Sequence, residues 1–266
     1  MAMSKNKTSY DLIGPKNAPI VVLIHGLGLT RQMNWDVITN DLTSRFRVLR
    51  YDLYGHGESR KISQNNQISL TFLSDQLIAL MDELDIDQAA LVGFSLGGMI
   101  NRRVAMDHPK RVSKMAILNT PHERAKEAQR EVEDRATLSE KDGAKATIES
   151  TLRRWFSPSF FDHHMDIVNK VREIVLTQDP ISYVACRYVL AHGVKELIRP
   201  YPPINVPSLV MTCQHDSGST PVMSYAIAEE IKDSEVFIVP QLRHLGLIEN
   251  PRIYTEKLIK FLTQKI

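Results

Sequence analysis

The sequence predicts an α/β protein: a mostly parallel central sheet flanked by helices, interrupted by one all-helical insertion. Three observations carry that prediction. Short β-branched runs alternate with helical periodicity. The alternation stops between about residues 120 and 199. Between these features, Gly93-Phe94-Ser95-Leu96-Gly97 joins a strand to a helix through a tight turn. Strands and helices that alternate through short turns require parallel pairing with right-handed crossovers.

The elements follow in order. Ile20-Val21-Val22-Leu23-Ile24 is a continuous apolar run, as expected of a strand covered on both faces. A second run, residues 46–51, stops at Asp52-Leu53-Tyr54-Gly55-His56-Gly57-Glu58-Ser59. Residues 69–84 have helical spacing, with Leu70, Leu73, Leu77, Leu80, Met81 and Leu84 on one side. A third strand spans 89–94. The helix after it spans 97–107 and ends at His108-Pro109. Further strands are expected at 114–118, 207–212 and 235–239, with a closing helix at 251–264. The stretch 120–199 lacks a good strand. It holds charged amphipathic segments at 123–140, 145–155, 162–177 and 180–191. The expected division is therefore a core of residues 1–120 and 201–266 and a helical cap of residues 121–200. Tyr201-Pro202-Pro203 and Pro207 mark the return to the sheet.

Composition narrows the function. The chain has 266 residues, 43% apolar and 24% charged, with 33 basic and 31 acidic side chains for a net charge of +2. A balance so near neutral gives no field to draw the chain onto nucleic acid or an anionic membrane. No apolar run approaches the roughly 18 residues of a membrane span, and the polar N-terminus lacks a secretory core. Two cysteines, Cys186 and Cys213, are too few for a disulfide framework or a Cys-rich zinc site. They read as reduced core residues of a cytoplasmic protein. His163-His164 is the only adjacent histidine pair, and neighbours in a helix diverge too far to share a metal. Gly26-Leu27-Gly28 lacks the third glycine of a dinucleotide fingerprint, and no P-loop is present. Neither a cofactor nor a metal is expected, and homo-oligomerisation is left open.

The G-x-S-x-G turn carries the chemistry. A turn this tight strains the central residue and leaves no room for side chains two positions away on either side. It lifts the Ser95 hydroxyl above the sheet, and the Leu96 N–H at the new helix start becomes an oxyanion donor. His25-Gly26-Leu27-Gly28 ends the first long strand and offers the Leu27 N–H as second donor. His25 and His56 read as residues that hold loops, not as bases. A serine needs a neutral imidazole nearby. Of nine histidines, His244 lies in the loop between the last strand and the last helix, on the sheet edge expected for Ser95. Asp216 follows the preceding strand and is placed to orient it. The order Ser95, Asp216, His244 suits a serine hydrolase built on this topology.

With these residues in view, the chain resembles the α/β-hydrolase fold superfamily over nearly its whole length. The resemblance rests on His25-Gly26-Leu27-Gly28, the stretch from Asp52 to Ser59, Gly93-Phe94-Ser95-Leu96-Gly97-Gly98-Met99, Asp216 and His244. It looks most like the small capped hydrolases grouped around oxoadipate enol-lactonase. The resemblance implies a Ser95–Asp216–His244 triad, an oxyanion hole from Leu27 and Leu96, and an acyl-enzyme route for a small ester or lactone. It sets serine against the carboxylate nucleophile of haloalkane dehalogenases and epoxide hydrolases. Because only residues 8–13 precede the first long strand, the N-terminal hairpin is expected to be shortened and the first strand of the family missing.

The cap is expected to roof Ser95, with Trp155, Phe156, Phe160, Phe161, Tyr183 and Tyr188 supplying aromatic surface. Trp155, Phe156, Tyr183, Tyr188 and Arg154 are the expected substrate contacts, and Arg153, Arg154 and Arg187 are placed to grip a substrate carboxylate. Two alternatives share or discard the triad: carbon–carbon bond cleavage or perhydrolysis on the same residues, and a small-molecule receptor with a decayed site. Phe94, where carbon–carbon hydrolases often carry a small polar residue, weighs against the first.

Overall fold

The computed structural model describes residues 1–63 and 68–264. Its centre is a sheet of eight strands: β1 (Ala2–Met3), β2 (Ser9–Ile13), β3 (Ile20–Ile24), β4 (Arg47–Tyr51), β5 (Ala89–Phe94), β6 (Val112–Leu118), β7 (Ser208–Cys213) and β8 (Ser234–Val239). They lie in the order β1-β2-β4-β3-β5-β6-β7-β8. β1, β2 and β4 pair antiparallel, and every pairing from β4 through β8 is parallel. The expectation of a missing first strand is corrected here. The hairpin is complete, but β1 has only two residues, both exposed, too short to leave a pattern in the sequence.

Eleven α-helices surround the sheet among the described residues. α1 (Arg31–Thr43), α2 (Leu70–Glu83) and α3 (Leu96–Asp107) link the first strands. α4 (Lys126–Asp142), α5 (Ile148–Trp155), α6 (Pro158–His163), α7 (Met165–Thr177) and α8 (Pro180–His192) all lie between β6 and β7. α9 (Pro221–Glu229) separates β7 from β8, and α10 (Gly246–Glu249) and α11 (Pro251–Thr263) close the chain. None of these helices is long and apolar enough to cross a membrane.

α1 escaped the apolar-period reading because its inward face is partly polar: Arg31, Asn34 and Thr39 are buried with Trp35, Ile38 and Leu42. Arg31 pairs with the buried Asp52, whose carboxylate also takes the N–H groups of Arg31 and Glu58. The Asp52 stretch thus ties the loop after β4 to the start of α1.

Among the described residues the core is one apolar cluster around β3, β5, β6 and β7. Cys186 and Cys213 are buried free thiols within it. The helices between β6 and β7 are bonded to core loops at several points. The Gln178 amide oxygen accepts from the Gly57 N–H, and the Ser182 hydroxyl from the Ile62 N–H. The Trp155 carbonyl accepts from the N–H of Leu245, at 2.8 Å.

Candidate active site

Five of the parallel strands, β3, β5, β6, β7 and β8, end on one edge of the sheet, and the residues that follow them converge there, as open α/β sheets commonly arrange. β5 runs into Ser95, whose backbone sits at φ 53 and ψ −112, outside the helical and extended regions. A side-chain carbon at Gly93 would strike the carbonyl of Gly97, and one at Gly97 would strike the carbonyl of Ile24. The second glycine is therefore required by the neighbouring strand β3 and not only by the turn itself. The Ser95 N–H is anchored to the Leu118 carbonyl at 2.8 Å.

Asp216 lies three residues beyond β7, and His244 five beyond β8. The His244 Nδ1–H donates to Asp216 Oδ2 at 2.7 Å, an arrangement that turns Nε2 away from the carboxylate and makes it the proton acceptor of the neutral ring. The same Oδ2 accepts from Asn119 Nδ2 at 3.0 Å, and Oδ1 accepts the N–H groups of Gly218 and Ser219, both at 2.9 Å. Burial pushes the Asp216 carboxyl upward. The charge of His244 and these hydrogen bonds outweigh burial and hold it below its ordinary range. Asp216 thus stays ionised although it is buried. Asn119 was not singled out from the sequence. It follows β6 at φ 47, a left-handed conformation that asparagine tolerates, and its Oδ1 accepts from the Tyr254 hydroxyl at 2.9 Å.

The loop after β3 reaches this site. A carbon built on Gly26 would sit 3.3 Å from Ser95 Cβ. Among the described residues the Leu27 N–H has no acceptor, and the Leu96 N–H opens α3, where no intrahelical partner exists. Two buried histidines shape the loop. His25 donates from Nδ1 to the Gly26 carbonyl and accepts the Leu53 N–H on Nε2. His56 accepts the Gly28 N–H on Nε2 at 3.0 Å. The buried Asn34 accepts the Gly26 N–H. Burial lowers His25 to about 4 and His56 to about 3, so both are neutral at ordinary pH.

One cavity brings together Gly26, Leu27, Phe94, Ser95 and His244 from the sheet edge with Thr151, Arg154 and Trp155 from α5 and Arg187 and Leu190 from α8. The Trp155 ring stacks on the His244 ring at 5.8 Å, and Phe94 tilts against it at 5.2 Å. Arg124 and Arg135 also line the cavity and were not expected to. Of the expected substrate contacts, Trp155 and Arg154 face it. Phe156, Tyr183 and Tyr188 do not line it, and that part of the expectation is corrected. Phe156 is fully buried and stacks on Phe160. The Tyr188 hydroxyl bonds Glu140 and its ring stacks on His192. Tyr183 packs near Gly28, and its hydroxyl accepts from Arg187. Arg153 is exposed and lies over the Phe161 ring, away from the cavity. Arg153 lies on the exposed side of α5, and Phe156 follows the helix in extended backbone that carries its ring inward, which separates both from Arg154 and Trp155.

Comparisons with known proteins place these features in a wider set. A family model described as the alpha/beta hydrolase fold matches residues 19–143. The chain is 26% identical to 3-oxoadipate enol-lactonase 2 of Acinetobacter baylyi, over 92% of this chain and 89% of that protein. It is also 26% identical to the (E)-2-((N-methylformamido)methylene)succinate hydrolase of the same organism, over 94% of this chain and 92% of that protein. The crystal structure of the enol-lactonase from Burkholderia xenovorans superposes with a TM-score of 0.86 at 27% identity, covering 97% of this chain and 96% of that one.

Proposed function

Because this chain has the α/β-hydrolase fold and hydrolytic relatives along its length, we propose that it is a serine hydrolase cleaving a small carboxylic ester or lactone through an acyl-enzyme. One observation carries this reading. A serine on a strained strand–helix turn shares a cavity with an imidazole whose far nitrogen is held by a buried, ionised carboxylate.

The steps follow from the groups present. Ser95 Oγ attacks the carbonyl as His244 Nε2 takes its proton, and Asp216 balances the imidazolium that forms. The N–H groups of Leu27 and Leu96 receive the oxyanion; one such donor is typically worth about 2.7–4 kcal/mol in the transition state. His244 returns the proton to the leaving oxygen, or to the ring-opened oxygen of a lactone. Water, deprotonated by the same imidazole, then releases the acid. The helices between β6 and β7 act as a cap, since α5 and α8 supply much of the cavity's second wall.

A fluorophosphonate probe tests the nucleophile. Stoichiometric labelling mapped to Ser95 by peptide mass spectrometry is expected. Absence of labelling in the folded protein, or labelling elsewhere, would overturn the assignment.

Asn119 acts through Asp216 as a positioning residue. Asn119→Ala is expected to lower kcat roughly tenfold, equal to ~1.4 kcal/mol, part of what one hydrogen bond to a charge supplies. KM should stay within about twofold. A thermal melt at assay temperature checks that the variant is folded, and a kcat equal to wild type would rule the role out.

A further inference from the structure

The cavity wall opposite Ser95 is basic to a degree that a neutral ester does not require. Four guanidinium groups line it: Arg124 from the segment after β6, Arg135 from α4, Arg154 from α5 and Arg187 from α8. None of the residues lining the cavity is acidic. The carboxylates near the cluster lie outside the lining. Glu131 is exposed and reaches Arg135 at 3.6 Å, Asp134 also acts on Arg135, and Glu133 is near Arg124. Asp216 acts on Arg154, but its oxygens are already engaged by His244, Asn119 and the N–H groups of Gly218 and Ser219. Arg187 is buried, and its one hydrogen bond among the described residues goes to the neutral hydroxyl of Tyr183. Arg154 makes neither a hydrogen bond nor an ion pair among the described residues, and a carbon built on Gly218, on the cavity wall, would lie 3.7 Å from its Nη1.

Gathering four cations on a wall whose own lining holds no carboxylate is costly unless a ligand completes the set. The cost shows in three of the four groups. Burial, with Arg135 beside it, brings Arg124 down to about 10. Burial, with Arg135 and Arg187, brings Arg154 to about 10. Burial and Arg187 lower Arg135 as well. Structural arginines are normally paired, and a planar guanidinium recognises a carboxylate edge-on through two N–H bonds.

We infer that the acyl compound taken by this site carries at least two further carboxylates besides the bond presented to Ser95. Resting on the hydrolase reading above, the inference narrows its substrate from any small ester or lactone to that of a polycarboxylic acid. The four guanidiniums come from four separate segments of the chain, an arrangement suited to two anionic groups better than to one compact phosphate. Trp155 and Phe94 flank His244 and leave the apolar part of the acyl chain a place to lie. The product then bears three carboxylates, one of them newly released.

The test compares four methyl esters by proton release in a pH-stat: methyl butanoate, monomethyl glutarate, a monomethyl ester of tricarballylic acid, and methyl 3-phosphonopropanoate. Their leaving group is the same, and Ser95→Ala supplies the background. The expected kcat/KM rises about tenfold per added carboxylate, so the tricarballylate ester exceeds the butanoate about a hundredfold. It should also exceed the phosphonate. Arg154→Met, chosen because Arg154 has no hydrogen-bond partner to disturb, should cut the tricarballylate-to-butanoate ratio at least tenfold. The ratio is internal and does not depend on the fraction of folded enzyme.

A Ser95-dependent enzyme that prefers the butanoate, or treats glutarate and tricarballylate esters alike, overturns the inference while leaving the hydrolase reading intact. A preference for the phosphonate replaces two carboxylates with one phosphate. If no ester is cleaved in a Ser95-dependent way, the hydrolase reading is what fails. Calorimetric titration of the Ser95→Ala protein with tricarballylate and with butanoate then decides the anion site directly. Binding of tricarballylate at least a hundredfold tighter supports it, and equal affinity ends it.

Discussion

Ser95→Ala is expected to lower kcat on the best ester by roughly 10⁶-fold, and Asp216→Asn by roughly 10⁴-fold. The difference has a structural cause. Without the hydroxyl no acyl-enzyme forms, and what remains is the oxyanion hole and binding. Asparagine at 216 keeps the shape but places an amide where a carboxylate accepts the His244 Nδ1–H and the Asn119 Nδ2–H. An amide NH₂ in that position favours the imidazole tautomer protonated at Nε2, which cannot take the Ser95 proton. The charge that would balance the imidazolium is lost as well. His244→Gln should match Ser95→Ala, and the double variant should be no slower than either single one, because the residues act as a unit. Steady-state rates of the folded variants check this. Multiplicative losses, or an Asp216→Asn enzyme within tenfold of wild type, would break the proposed relay.

Acid is expected to destabilise the protein through two residues that are not proposed to touch substrate. His25 and His56 each accept a backbone N–H on Nε2, from Leu53 and Gly28 respectively, and can do so only while neutral. Burial lowers His25 to about 4, against a rise from its Gly26 bond, and lowers His56 to about 3 with the help of His25. In the unfolded chain both titrate near 6.5. Below that value the unfolded state binds protons that the folded state refuses. Stability is therefore complete above about pH 6.5 and falls as the pH drops towards 4, for His56 down to about 3. Between pH 7 and pH 5 the two together account for a loss of about 4 kcal/mol. The depressed carboxyls Asp216 and Glu230 act mainly below this window, so it isolates the histidines. Urea unfolding at pH 7 and pH 5 measures the drop. His25→Asn with His56→Asn should be less stable than wild type at pH 7 yet flatter across the window. An unchanged slope in that variant would remove the histidines as its cause. The same event frees the loop that carries the Leu27 N–H, so activity should fall with stability.

Much of the core was legible because its signals are local. The apolar runs at β3 and β5 match their strands residue for residue, since a strand covered on both faces has little freedom in composition. β1 and α1 were not read, for opposite reasons. One is too short and exposed to leave a pattern. The other hides its inward face behind Arg31, Asn34 and Thr39, polar residues whose partners lie on other elements. α9 was also passed over, although Thr220-Pro221 is a readable start, with the Thr220 hydroxyl accepting the Met223 N–H.

By itself the sequence determined the α/β-hydrolase fold class and the order in which Ser95, Asp216 and His244 follow their strands. Each of these depends on a few neighbouring residues and on the periodicity of one element. Only the tertiary structure decided what faces Ser95. It turned Phe156, Tyr183 and Tyr188 away from the cavity and brought Arg124, Arg135, Arg154 and Arg187 to its wall. Those four span more than sixty residues of chain. Which face of each helix looks inward is set by packing against its neighbours, so their convergence has no signature in any one segment.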